Sequence, residues 1–401
     1  MCAIVERMRR LGARSGFVVA AYALFTTMLG TTLPTPLYPL FQERYSFGEL
    51  LVTVIYGVYA LGVIAALILF GNLSDTLGRK PLLLAGLALS VLSAVLFLDA
   101  GSLVPVFAAR IVSGLSAGIY TGTATAYLVD LAPDGRRRFA SVIAVVVNLS
   151  GLGVGALLSG ILAQYGSDPL RLPFAVDLVL LAPAVVGMLL APETVGRSGF
   201  RLRLQRLSVP PEVRGVLIRG TTAGFAASAV AGVFAAVVPA FLRQTLDLHS
   251  PVLAGVLVFF FFDTALVGQL VMRRVGDDTA LAAGCVLLLT GAVVLAVGVA
   301  AESLAATVAS SIVGGLGQGL VFAAALAAIN QRAPLERRGE AASVFFVGTY
   351  VGLSLPVIAG GLAIQETSLR PAAIAFCVCV AGVALAVLAS QLRAARVTSS
   401  F

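Results

Sequence analysis

The segment Gly71-Asn72-Leu73-Ser74-Asp75-Thr76-Leu77-Gly78-Arg79-Lys80-Pro81 decides the fold. It lies between two apolar runs, 51–70 and 82–98, each long enough to be a membrane helix, so it is the short loop joining them. Its residue types suit that place. Gly71 lets two helix ends approach closely, and Gly78 suits a turn that needs positive φ. Asp75 is an anion able to face the N-terminus of another helix, where free N–H groups and the dipole favour negative charge. Arg79 and Lys80 are charges of the kind that hold a loop on the cytoplasmic side.

Working outward, the 401 residues are 59% hydrophobic and 11% charged, with mean hydropathy +1.02 and no Trp, a composition that excludes a soluble globular domain. About twenty apolar residues per span give twelve spans, near 16–40, 51–71, 82–99, 103–129, 140–163, 172–191, 217–242, 252–272, 279–299, 304–330, 341–364 and 372–391. The fold class read from this is all-α and polytopic. Arg7, Arg9, Arg10 and Arg14 before the first run imitate a signal peptide, but the run from Gly16 to Leu40 is too long for one. Pro34, Pro36 and Pro39 in span 1, Pro183 in span 6 and Pro356 in span 11 predict kinks.

A net charge of +8 suggests nucleic acid until the charges are placed. With both termini inside, 22 of the 27 basic residues fall on the cytoplasmic side, four on the other (Arg44, Arg171, Arg243, Arg370), and Arg110 falls within span 4. The bias is that of a multi-pass protein of the cell's inner (plasma) membrane, whose partners are the bilayer and a small molecule, not nucleic acid. The Arg-rich stretch after Pro192 divides the chain into 1–191, a linker 192–216, and 217–401. Phe200, Leu202, Leu204 and Leu207 alternate with arginines there, so the stretch is a linker with interfacial contact or an amphipathic helix on anionic lipid. The four cysteines, Cys2, Cys285, Cys377 and Cys379, have no metal-site spacing and read as small apolar fillers.

The halves are repeats. Ile111-Val112-Ser113-Gly114-Leu115-Ser116-Ala117-Gly118 matches Ile312-Val313-Gly314-Gly315-Leu316-Gly317-Gln318-Gly319, and the match continues to Ala132-Pro133 and Ala333-Pro334. Gly268 to Gly276 is a degraded copy of the opening segment, with Met272 at the position of Asp75.

The spacing G-x-L-S-D-x-x-G-R-K resembles the signature loop between helices 2 and 3 of the major facilitator superfamily, although that family usually has a basic residue where Thr76 stands. The resemblance covers essentially the whole chain. It implies two six-helix bundles around a central cavity, working by alternating access. It implies a conformational latch of Gly71, Asp75, Gly78, Arg79 and Asp130: Asp75 facing the start of helix 11 near Ala341 to Ser343, Arg79 paired with Asp130, both breaking when the inner gate opens. Arg110-x-x-x-Gly114-x-x-x-Gly118 resembles the family's helix 4 motif, whose arginine is implicated in proton coupling; snorkelling to the interface is the alternative. Gly151-x-x-x-Gly155-Ala156-x-x-Ser159-Gly160 resembles the antiporter motif, with Ala156 for Pro and Ser159 for Gly, and tight helix packing explains it equally.

Residue chemistry adds the candidates for coupling. Asp263 sits in Phe259-Phe260-Phe261-Phe262-Asp263-Thr264, where desolvation penalises its charged form, so it is the prime group to gain and lose a proton; an interhelical hydrogen bond is the bland alternative. Asp177 is the comparable acid, placed near the interface, and Arg110 is expected to line the cavity beside Asp263. Tyr56, Tyr59, Tyr120, Asn148 and Gln318, with Thr26, Thr31 and Asn330, are candidate substrate contacts or interhelical glue. The only histidine, His249, is in an outer loop, and no nucleotide-binding loop is present. With no cofactor beyond a proton gradient, no metal and no enzymatic constellation, the reading is a monomeric secondary transporter. It exports small lipophilic or cationic compounds; import of a sugar, organic acid or amino acid, or a non-transporting receptor, are the alternatives.

Overall fold

A computed structural model describes residues 12–71, 73–196, 213–334 and 337–399. Outside that description fall the side chains of Asp75, Asp278 and 392–399, together with Cys2, the start of the basic N-terminus and the stretch 197–212 read above as a linker or interfacial helix.

Among the described residues, twelve helices are long and apolar enough to cross a membrane. They are α1 (Ala13–Tyr45), α2 (Glu49–Phe70), α3 (Arg79–Leu98), α4 (Leu103–Asp130), α5 (Arg137–Tyr165), α6 (Leu172–Leu190), α7 (Arg214–Ala236), α8 (Pro251–Val275), α9 (Thr279–Ala300), α10 (Leu304–Arg332), α11 (Arg338–Glu366) and α12 (Leu369–Gln391). Each matches a span read from the sequence, because uninterrupted backbone hydrogen bonding within a segment is what the hydrocarbon core requires. The prolines act unequally. Pro183 and Pro356 stay within continuous helices, whereas Pro34, Pro36 and Pro39 break α1 into a helix to Thr32, a 3-10 turn Thr35–Leu37 and a short helix Tyr38–Tyr45. A stretch without the usual N–H donors leaves main-chain carbonyls free, and two are taken by side chains from elsewhere: Ser159 donates to the Leu33 carbonyl (2.6 Å) and Arg110 to that of Thr31 (2.8 Å).

The repeat is geometric as well as textual. In the first half Gly114 and Gly118 of α4 sit on the backbone carbonyls of Tyr59 and Val63 in α2. In the second, Gly315 and Gly319 of α10 sit on those of Phe261 and Ala265 in α8. Absent side chains let the backbones touch, giving both halves the same helix pair. Gly78 and Gly276 are also equivalent: each precedes the next helix, with φ of 99° and 89°. The offset between halves is 202 at the helix contacts (Tyr59 to Phe261, Val63 to Ala265) and 198 at these glycines (Gly78 to Gly276). The difference is the single helical turn Ser74–Leu77, which the second half lacks. The alignment of Asp75 with Met272 therefore falls inside an insertion, and Met272 lines the central cavity instead.

The halves meet on the face away from loop 71–80. Thr53 of α2 packs on Gly361 of α11, Pro251 of α8 on Gly160 of α5, and Gly255 of α8 on Ala156 of α5. Polar pairs close the same face: Glu43 with Arg243, Gln244 with Glu49, and Ser250 donating to Gln164 (2.7 Å). Glu43→Gln is expected to favour the state open on this face by about two- to fivefold, the effect of losing a largely exposed ion pair. Labelling of a cysteine at Ala235 by an impermeant maleimide, in a cysteine-free background, measures it.

Candidate functional site: a central cavity and two buried acids

Between the halves lies a cavity of about 720 Å³. It reaches Ser141, Arg273, Asn330 and Ala342, all within a turn or so of helix ends on the loop 71–80 face, and stops at Thr35, Tyr56 and Ala235 towards the other. The chain is therefore caught open on one face and shut on the opposite one.

Helical spacing builds the wall. Ser141, Val145, Asn148 and Leu152 form one stripe of α5, and Gln318, Phe322, Leu326 and Asn330 form one of α10. Of the residues singled out in the sequence, Tyr56, Tyr59, Thr31, Asn148, Gln318 and Asn330 line the cavity. Tyr120 and Thr26 do not. Tyr120 is fully buried against Gly86 of α3, and Thr26 donates within its own helix to Tyr22 and Ala23. The hydroxyls of Thr121 and Thr125, Ser228, Gln269, Tyr350 and the aromatic rings of Phe262 and Phe346 were missed. Their signal was the same four-residue periodicity, hidden because every face of these helices is apolar on average.

Arg110 forms the floor. It is 1% exposed, so it does not snorkel. Its guanidinium donates to the Thr31 carbonyl and lies 4.7 Å from the Tyr59 ring centre and 5.6 Å from that of Tyr56. Among the described residues no carboxylate pairs with it, and the expected neighbour Asp263 is elsewhere. Asp263 is absent from the cavity wall and lies against Gly153 of α5, with Oδ2 buried and unpartnered. It thus occupies the α5–α8 contact between the halves. That contact also explains the antiporter-like spacing: Gly151 and Gly155 pack on α1, while Gly153, Ala156 and Gly160 pack on α8. Asp177 is not at an interface with lipid headgroups either. It is 3% exposed, inside the first half against Gly30.

The signature loop is clamped to the end of α4 and the residues after α6. Arg79 Nε pairs with Asp130 Oδ2 at 2.6 Å, and Thr194 donates to the same oxygen (2.9 Å). Glu193, unnoticed in the sequence, accepts from the backbone N–H of Arg79 (3.0 Å) and Lys80 (3.2 Å) at the start of α3, and Lys80 Nζ donates to the carbonyls of Leu189 and Ala191. Among the described residues, these partners lie in the first half or at the first residues of the linker. The Arg79–Asp130 pair is intact while the cavity is open on its own face, so it does not break with that gate as expected. Gly71 is exposed at the end of α2, and Gly78 has the positive φ its turn demands. The contact expected of Asp75 with α11 lies outside the described residues.

Two six-helix halves closed on one face around a central cavity define a multi-pass membrane protein with a transporter fold. The sequence matches the profile of the Major Facilitator Superfamily over residues 20–355 and 221–399, and the chain belongs to that family. The MFS-type transporter MJ1560 of Methanocaldococcus jannaschii is 25% identical over 185 residues, 46% of this chain and 48% of that one. Multidrug resistance protein 2 of Bacillus subtilis is 25% identical over 181 residues, 45% and 44% of the two chains. The quinolone resistance protein NorA of Staphylococcus aureus (strain Mu50) is 23% identical over 188 residues, 46% and 47%. Each match spans about half the length of the relative. The crystal structure of the human organic anion transporter MFSD10 superposes with a TM-score of 0.70, covering 95% of this chain and all of that one at 17% identity, which establishes the shared fold.

Proposed function

We propose that this transporter exports small lipophilic compounds from the cytoplasm in exchange for protons, with both termini and loop 71–80 on the cytoplasmic side. The observation that carries the reading is the cavity wall, in which Phe262, Phe322, Phe346 and Leu353 surround a few hydroxyls and amides over a single arginine floor. Such a wall takes apolar bodies of varied shape and orients them by one or two polar contacts. The names of two relatives, a multidrug resistance protein and a quinolone resistance protein, support export of compounds of that type. Charge refines the substrate class. Arg110 and Arg273 line the cavity, and among the described residues no acid does, so the wall suits neutral or anionic amphiphiles and repels the cations named above.

Asp263 is the proposed proton carrier, acting through the joint between the halves and not through the substrate. An ionised carboxyl oxygen held unpartnered against Gly153 makes the α5–α8 contact unfavourable. Protonation from outside removes the charge and allows the contact found here. Proton release to the cytoplasm frees the joint, and the substrate-loaded cavity turns outward.

The test uses inside-out vesicles energised by respiration, with a panel of neutral, carboxylate and cationic lipophiles. Proton release driven by a neutral or anionic compound is expected in the wild type, falling at least tenfold in Asp263→Asn. Release that survives in Asp263→Asn would remove the carrier role. Uptake of a nutrient in right-side-out vesicles, with no compound-driven release, would replace export by import.

A further inference from the structure

A second polar pocket lies within the first half between α1, α3, α4 and α6, apart from the central cavity. Its volume of about 10 Å³ holds one water-sized particle. Five oxygen-bearing side chains face it: the hydroxyls of Thr27, Ser90, Ser93 and Ser113, and the carboxyl group of Asp177. Two of the four hydroxyls have already given their protons away. Ser116 gives its proton to the Gly86 carbonyl (2.7 Å), so in the Ser90–Ser116 pair (2.7 Å) Ser90 must be the donor. Ser93 gives its proton to the Ala109 carbonyl (2.9 Å). Both serines therefore offer the pocket only lone pairs. Thr27 Oγ1 and Asp177 Oδ1 are buried without any partner, and Asp177 is only 3% exposed. No Lys, Arg or His lines the pocket.

Among the described residues no group donates to the Asp177 carboxyl and no basic side chain stands beside it, so a buried carboxylate ringed by hydroxyl oxygens has no counter-charge of its own, which is the arrangement of a cation site. A single negative charge matches a monovalent ion, since a divalent one would remain half neutralised in a low-dielectric interior. All five groups are hard oxygens, and the space is that of one dehydrated ion. We infer that this pocket is a sodium-binding site in the first half, with Asp177 as the charged ligand and Thr27, Ser90, Ser93 and Ser113 as neutral ones. It does not depend on the direction of transport or on the role of Asp263.

The site touches the machinery of the cavity at two points. Gly30, whose Cα faces the Asp177 carboxyl, precedes Thr31, whose carbonyl holds Arg110. Ser113 lies one helical turn beyond Arg110 on α4. An ion in the pocket thereby fixes the α1–α4 spacing on which the position of Arg110 depends.

The test takes the purified full chain in lipid nanodiscs at constant ionic strength, with choline, potassium or sodium as the cation. Sodium is expected to raise the unfolding midpoint saturably, by about 5 °C at a large excess over the dissociation constant, with potassium and choline far weaker. Binding of radiolabelled sodium should saturate at one ion per chain. Asp177→Asn should abolish both effects. Gly30→Ala retains every ligand, but its methyl group would lie 2.9 Å from Asp177 Oδ2 and displace the carboxylate, lowering sodium affinity at least tenfold. It decides the matter should Asp177→Asn fail to fold. A midpoint indifferent to the cation, or a sodium shift that persists in both variants, would overturn the site and leave a neutral acid beside trapped water.

Discussion

Arg110→Met is expected to reduce substrate-driven flux at least 100-fold while leaving the unfolding temperature unchanged or higher. The two halves of that result have one cause. The guanidinium is 1% exposed, has no carboxylate partner among the described residues, and is held by one main-chain carbonyl and two tyrosine rings. Burying a cation on so few contacts costs stability, and an apolar side chain of similar length relieves that cost. Function moves the other way. Losing a desolvated charge at the floor of the cavity removes about 3 kcal/mol of interaction with an anionic or polarised substrate, which is roughly 100-fold in rate or affinity. Arg110→Lys keeps the charge but loses the planar fork that donates to Thr31 while stacking on Tyr59, so about tenfold loss is expected. Vesicle transport and thermal unfolding of the same preparations measure both quantities. Transport within twofold of wild type in Arg110→Met would end the floor's functional role, and a collapsed unfolding temperature would make Arg110 structural.

Gly319→Ala is expected to be the most damaging single methyl in the chain. Its added carbon would meet the backbone carbonyl of Ala265, which cannot turn aside as a side chain would, so α8 and α10 must separate. A loss of about 3 kcal/mol follows, enough to deplete monodisperse protein and lower the unfolding midpoint by several degrees. Gly118→Ala, the repeat mate, meets Ala66 Cβ at 2.6 Å and the Val63 carbonyl at 2.8 Å, and should cost somewhat less. Gly360→Ala is the control, since nothing lies within 4 Å of its added methyl, and its midpoint should stay within a degree or rise slightly. Equal effects at Gly319 and Gly360 would mean that the α8–α10 contact does not limit stability.

Much of this protein could be read from its residues in order. The twelve spans, the bias of basic residues, the repeat around Gly114 and Gly315 and the turn at Gly78 all follow from local composition and short spacings, because a membrane helix must satisfy its backbone within itself, whereas the Arg79–Asp130 pair was legible only through the family resemblance. What local pattern left open was direction. On helices apolar all round, nothing in the sequence tells which face meets a cavity, a neighbour or lipid. Only the packed bundle turned Asp263 onto Gly153 at the joint between halves, Asp177 into a polar pocket beside Gly30, Tyr120 into the core and Arg110 onto Tyr59. It also brought Glu193 across from the end of α6 to cap α3. The sequence by itself determined how many membrane-crossing helices the described residues hold and the stretch each occupies, though not their ends: the seventh, read to 242, stops at Ala236. Which buried charge faces which partner was decided by the rotation of each helix, set jointly by all its neighbours through contacts between residues far apart in the chain.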